Sequence, residues 1–206
     1  MLGCWNKSVY ITYLGAFCAI FGLLLYDKTG NVNYAFMGML LAAVCDMFDG
    51  KVARSIKDRS EMDKCFGVEI DSLADIIAFI VVPALTIHKI GLNEYYQLVI
   101  LTLYVICGIV RLAYFNVAMS NKDTAIKEYR GLPVPVSVFI FGLVWLLAKV
   151  VPFIETNEVM IFTILVPIVG YLHISKIKIK KITGNWFYIA VTILVALLII
   201  LGVYVL

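Results

Sequence analysis

Long apolar stretches broken by short polar clusters dominate the chain. Apolar runs can be drawn at residues 9–25, 34–48, 68–87, 95–116, 133–151, 159–172 and 186–206. A helix needs about 17–25 residues to cross a hydrocarbon core of roughly 30 Å. The pattern therefore predicts about seven membrane-spanning helices. The run at 34–48 reaches span length only if it continues helically through Ala53, and 159–172 is short, so the expected count is about six to eight. The fold class expected is an all-α integral membrane protein, a polytopic bundle forming a single domain over residues 1–206.

Composition agrees with this pattern. The chain is 63% hydrophobic and 15% charged, against about 25% charge in soluble domains. The first run is of span length and lacks a small-residue cleavage site after it, so it is expected to stay in the protein. The five cysteines are scattered, with no metal-binding spacing, and are read as reduced packing residues. No nucleic-acid partner is expected.

Charge sets the orientation. Lys7, Lys51, Arg54, Lys57, Arg59, Lys64, Arg111, Lys122, Lys127, Arg130, Lys176, Lys178, Lys180 and Lys181 fall on one side, and only Lys28, Lys89 and Lys149 on the other. The positive-inside bias puts the first group, with the basic-side loops 51–67, 117–132 and 173–185, in the cytoplasm. The alternating Ile and Lys of "HISKIKIKK" reads as an anchor at the lipid surface or as a collector of anionic headgroups. There is no internal repeat and no pair of interrupted helices of the kind transporters use, so the membrane domain itself must carry the function.

The informative stretch is "CDMFDGKVARSIKDRSEMDKCFGVEIDSLADIIAF", residues 45–79. On a helix continuing through Arg54, residues Asp46, Asp49, Gly50 and Ala53 share one face, and on the next helix Gly67, Asp71 and Asp75 do the same. Two consecutive helices can pack antiparallel with these stripes opposed. Four facing carboxylates repel one another unless protonated or bridged by cations. Oxygen-only ligands suit Mg²⁺, Mn²⁺ or Ca²⁺, and four carboxylates can hold two such ions, an arrangement that serves phosphoryl transfer. Gly50 and Ala53 permit close approach either of a ligand or of another helix. Arg54 can neutralise a diphosphate or pair with a nearby carboxylate. The competing readings are a structural ion-pair network with Lys51, Arg54 and Lys57, and a divalent-cation pathway. Carboxylates within membrane segments are functional by default.

"DMFDGKVAR" followed by "GVEIDSLAD" resembles the signature of the CDP-alcohol phosphotransferase family, and all eight signature residues are present: Asp46, Asp49, Gly50, Ala53, Arg54, Gly67, Asp71 and Asp75. The twelve residues between Arg54 and Gly67 are a longer spacer than the family usually has. "GIVRLAYFNV" and "YRGLPVPVS" resemble segments of the serine-using branch, and the likeness extends over residues 8–140.

The resemblance implies transfer of a phosphatidyl group from CDP-diacylglycerol, or an ether-lipid analogue, to the hydroxyl of L-serine, with release of CMP. It implies that Asp46, Asp49 and Asp71 bind metal, that Asp75 binds a second metal and acts as general base, and that Asp46, Asp49, Gly50, Ala53, Arg54 and Gly67 line the CDP-lipid site. It also implies a homodimer, while the charge bias puts the active site of this multi-pass cell-membrane protein at the cytoplasmic face. Serine is a zwitterion, and Arg111, Asn116 and Arg130 are the groups available on the basic side to hold it. A sibling using glycerol phosphate or an inositol compound is the alternative within the class. His88 and His173 are read as structural.

Overall fold

The computed structural model describes residues 7–56, 60–120, 129–179, 196 and 200. Its helices are α1 (Lys7–Thr29), α2 (Asn33–Ser55), α3 (Glu61–Asp75), a π-helical segment (Ile76–Val81), α4 (Val82–Ile90), α5 (Tyr95–Ser120), α6 (Val134–Ala148), the short α7 (Pro152–Thr156) and α8 (Glu158–Ile174). α3, the π segment and α4 form one continuous helix. Three helices among the described residues, Val9–Thr29, Glu61–Ile90 and Tyr95–Ala118, are long and apolar enough to cross a membrane, and Val134–Ala148 and Glu158–Ile174 are shorter apolar helices. The chain is thus a helical, membrane-embedded protein. The expected run at 186–206 lies outside the described residues except for positions 196 and 200.

One expectation is corrected. The basic-side loop drawn at 51–67 is mostly helical. α2 runs on to Ser55, and α3 starts at Glu61, where the Ser60 hydroxyl accepts from the Asp63 N–H while the Asp63 carboxylate accepts from the Ser60 N–H. This reciprocal cap satisfies two otherwise orphaned donors and absorbs half of the long spacer into α3. The fold class is all-helical, as expected, with a two-residue strand pair beside the helices. Tyr129–Arg130 (β1) pairs antiparallel with Lys178–Ile179 (β2), so part of the "HISKIKIKK" stretch is strand backbone.

α1 and α2 pack backbone to backbone. A Cβ on Gly38 would lie 2.4 Å from the Cys18 carbonyl oxygen, and one on Gly22 would lie 2.5 Å from that of Tyr34. Glycines let membrane helices approach this closely, and the crossing sets the register of the two helices. At one end of the pair Asp27 ion-pairs with Lys89 of α4. At the other, Thr12 meets Asp49.

The core is aromatic. Phe36 stacks on Trp145, Tyr104 meets Phe141 edge-on, and Phe141 packs on Phe162. Outside it, Tyr10, Leu14, Phe17, Phe21 and Leu24 of α1 and Leu103, Ile106, Val110, Tyr114 and Val117 of α5 are exposed, as suits faces turned to lipid. Pro133 caps α6 and Pro135 lies in its first turn, where proline costs no helical hydrogen bond.

Candidate active site

α2 carries Asp46 and Asp49 and α3 carries Asp71 and Asp75. Facing carboxylate oxygens of Asp46, Asp49 and Asp71 lie within 4.8 Å of one another, and all four aspartates line one cavity with Thr12, Gly15, Ala42, Cys45 and Ala78. The two acidic stripes thus converge. The donor set is entirely oxygen and the spacing suits a bridging ion, so the residues fit a hard divalent cation.

Thr12 completes the floor of the site. Its hydroxyl donates to Asp49 Oδ2 at 2.9 Å, with both residues less than 10% exposed. The sequence reading missed Thr12. The available signal was a hydroxyl inside an otherwise apolar run, at the position that antiparallel packing of α1 on α2 brings opposite Asp49.

Arg54 is exposed, with a guanidinium nitrogen 3.3 Å from where a Gly50 Cβ would stand. Gly50 thereby lets the Arg54 side chain lie back along α2, where its charge acts on Asp49. Ala53 and Gly67 are half-buried on the stripes.

The groups expected to hold serine are disposed differently. Arg111 is 8% exposed, lies over the Phe115 ring at 5.7 Å, and its charge acts on Asp75. Asn116 Nδ2 donates to Ser72 Oγ at 2.9 Å, which ties α5 to α3 one residue from Asp71. The side chain of Arg130 lies outside the described residues, although its backbone is held in β1. The Gly-Leu-Pro loop is latched onto the end of α8, as Gly131 N–H donates to Ile177 O and Leu132 N–H to Leu172 O, both at 2.9 Å. His173 is within hydrogen-bond distance of Leu132 O through Nδ1 at 3.0 Å, and His88 of Leu92 O at 2.9 Å. Both histidines thus have backbone partners.

Residues 5–172 match the family described as CDP-alcohol phosphatidyltransferase. The chain belongs to that family. Among curated relatives it is 35% identical over 156 residues to a CDP-diacylglycerol–serine O-phosphatidyltransferase of Saccharomyces cerevisiae, covering 70% of this chain and 55% of that protein. A Helicobacter pylori protein of the same name is 33% identical over 152 residues, covering 71% and 62%. An archaetidylserine synthase of Methanothermobacter thermautotrophicus is 38% identical over 115 residues, covering 55% and 47%. The chain therefore spans between about half and three-fifths of these relatives' length. The matched residues include all four aspartates.

Proposed function

We propose that the protein transfers the phosphatidyl group of CDP-diacylglycerol, or of an ether-lipid analogue, to the hydroxyl of L-serine, giving phosphatidylserine and CMP. The observation that carries the reading is the convergence of Asp46, Asp49, Asp71 and Asp75 in one cavity of a chain whose relatives are named for serine transfer.

Two divalent cations, Mg²⁺ or Mn²⁺ by donor chemistry and Ca²⁺ as a further option, would be held by Asp46, Asp49, Asp71 and Asp75 and would neutralise the diphosphate and the departing CMP. The chain's own groups do the rest. Asp75 takes the proton of the serine hydroxyl as it attacks phosphorus, since a hydroxyl is a poor nucleophile until a base within hydrogen-bond reach accepts that proton. Thr12 holds Asp49 in place. Gly50, Ala53 and Gly67 leave room for the CDP moiety, and Arg54 supplies charge for it. Arg111 and Arg130 offer cations to the serine carboxylate, and Asn116 positions the acceptor side through Ser72. Proton uptake by Asp75 balances the reaction: the serine oxygen bonds to phosphorus as the bond from phosphorus to the CMP oxygen breaks.

The proposal includes a single domain over 1–206, about six to eight spans, a homodimer, and an active site at the cytoplasmic face of the cell membrane. Supporting that face are the positive-inside bias and the position of Thr12, about 22 Å along α1 from the Asp27–Lys89 ion pair at 1.5 Å per residue. The test is CMP release from CDP-diacylglycerol with Mg²⁺ or Mn²⁺, scanning serine, glycerol 3-phosphate and inositol compounds. Serine-dependent release is expected. Release only with another acceptor would move the protein to a sibling activity, and metal flux into sealed vesicles with no lipid turnover would make it a transporter.

A further inference from the structure

The helix that bears Asp71 and Asp75 changes winding immediately after Asp75. Over Ile76–Val81 it is π-helical, and the Val82 N–H donates to Ile77 O five residues back. A π segment adds a residue to a turn and is frequent at functional sites. Relative to an uninterrupted α-helix, one added residue turns everything on one side of it by about 100°.

The two halves of this helix are held unequally. The segment and α4 are sunk in the core, with Ala78, Phe79, Ile80, Val82 and Ile87 at 2% exposure or less. α3 has no fully buried residue. Core packing therefore fixes the half that follows the π segment, while α3 is held by α1 and by the Ser72–Asn116 link, and its direction also depends on that segment keeping its winding.

Side chains from two other helices grip it. The Tyr104 hydroxyl of α5 donates to the Phe79 carbonyl at 3.0 Å, and the Ser137 hydroxyl of α6 reaches the same oxygen at 3.1 Å while also reaching Val134 O at 2.6 Å. Tyr104 and Ser137 are 1% and 0% exposed. One turn along α5, Gly108 leaves space for Ile80, whose side chain would be 2.4 Å from a Cβ there. One further turn brings Arg111, whose charge acts on Asp75. One face of α5 thus follows the π segment and its neighbour from Phe79 to Asp75.

We propose that Tyr104, assisted by Ser137, is a positioning residue for the carboxylate site. By holding the Phe79 carbonyl it keeps the π segment in place and so sets the direction in which α3 presents Asp71 and Asp75 to Asp46 and Asp49. The kinetic consequence rests on the serine-transfer reading, whereas the metal-binding consequence does not.

The test compares Tyr104→Phe, Ser137→Ala and the double variant with Trp145→Phe, which removes a buried hydrogen bond to Asn33 (2.8 Å) remote from the π segment. Two quantities are measured on the full chain in detergent or nanodiscs: Mn²⁺ affinity by electron paramagnetic resonance, and kcat and KM for CMP release. Direct partners of metal ligands are worth about 10–100-fold, and Tyr104 acts one step further out through the backbone, so Tyr104→Phe is expected to lower Mn²⁺ affinity and kcat by about tenfold, with KM for the CDP-lipid nearly unchanged. Ser137→Ala is expected to do less, and Trp145→Phe to cost stability alone. Wild-type Mn²⁺ affinity in both Tyr104→Phe and the double variant would overturn the proposal, and so would an equal loss in Trp145→Phe. Should Tyr104→Phe not fold, Ser137→Ala decides by the same readouts. If the Mn²⁺ pattern holds but the wild-type protein releases no CMP with serine, the positioning role stands and the acceptor assignment falls.

Discussion

Replacing Thr12 by valine tests whether α1 is part of the site. The substitution keeps the branched shape and removes the hydroxyl that donates to Asp49 Oδ2 at 2.9 Å. A hydrogen bond to a charged group contributes about 1.5–3 kcal/mol, which at about 1.4 kcal/mol per tenfold corresponds to roughly a 10- to 150-fold effect on whatever Asp49 binds. Partners of metal ligands give a similar figure, about 10–100-fold. The two estimates are of similar size. The assay is CMP release as a function of Mn²⁺, alongside direct Mn²⁺ titration. The Mn²⁺ concentration for half-activation is expected to rise by about one to two orders of magnitude, with kcat at saturating metal largely recovered and Thr12→Ser close to wild type. An unchanged Mn²⁺ dependence in Thr12→Val would refute the reasoning and leave Thr12 a packing residue.

Asp75→Asn should abolish serine-dependent CMP release while CDP-lipid binding, followed by calorimetry, stays largely intact; near-normal turnover would remove the base assignment. Asp46→Ala should weaken Mn²⁺ binding and turnover together, since it takes one ligand from the three-carboxylate group. Gly38→Ala should push α1 from α2, because the new Cβ would meet the Cys18 carbonyl at 2.4 Å. Overpacking of this kind costs about 1–3 kcal/mol, visible as a lower Tm in a thermal-shift assay. Gly131→Ala should be worse tolerated than its loop position suggests, since φ there is +76° and the Cβ would lie 2.3 Å from His173 O. Loss of activity through a detached Gly-Leu-Pro loop is expected, and a wild-type rate would show that the latch is dispensable.

The amino-acid sequence by itself determined the membrane character, the main helices and the composition of the acidic stripes. Each follows from local rules: apolar length decides what can span lipid, and the 3.6-residue period decides which residues share a face. Asp46, Asp49, Asp71 and Asp75 could therefore be grouped before any coordinates, as could Gly50 and Ala53 beside them. Tertiary structure alone decided what each face meets. The Gly22–Gly38 crossing sets the register that brings Thr12 to Asp49, and a hydroxyl from α5 and another from α6 meet on Phe79 where the helix turns π. Ser72 and Asn116 join across 44 residues of chain, and two residues on either side of α6 and α8 form a strand pair. A periodic pattern states which side chains point the same way, but not the angle at which that face is presented. That angle comes from backbone approach and hydrogen bonds between helices distant in sequence, and at this site it decides whether four carboxylates converge.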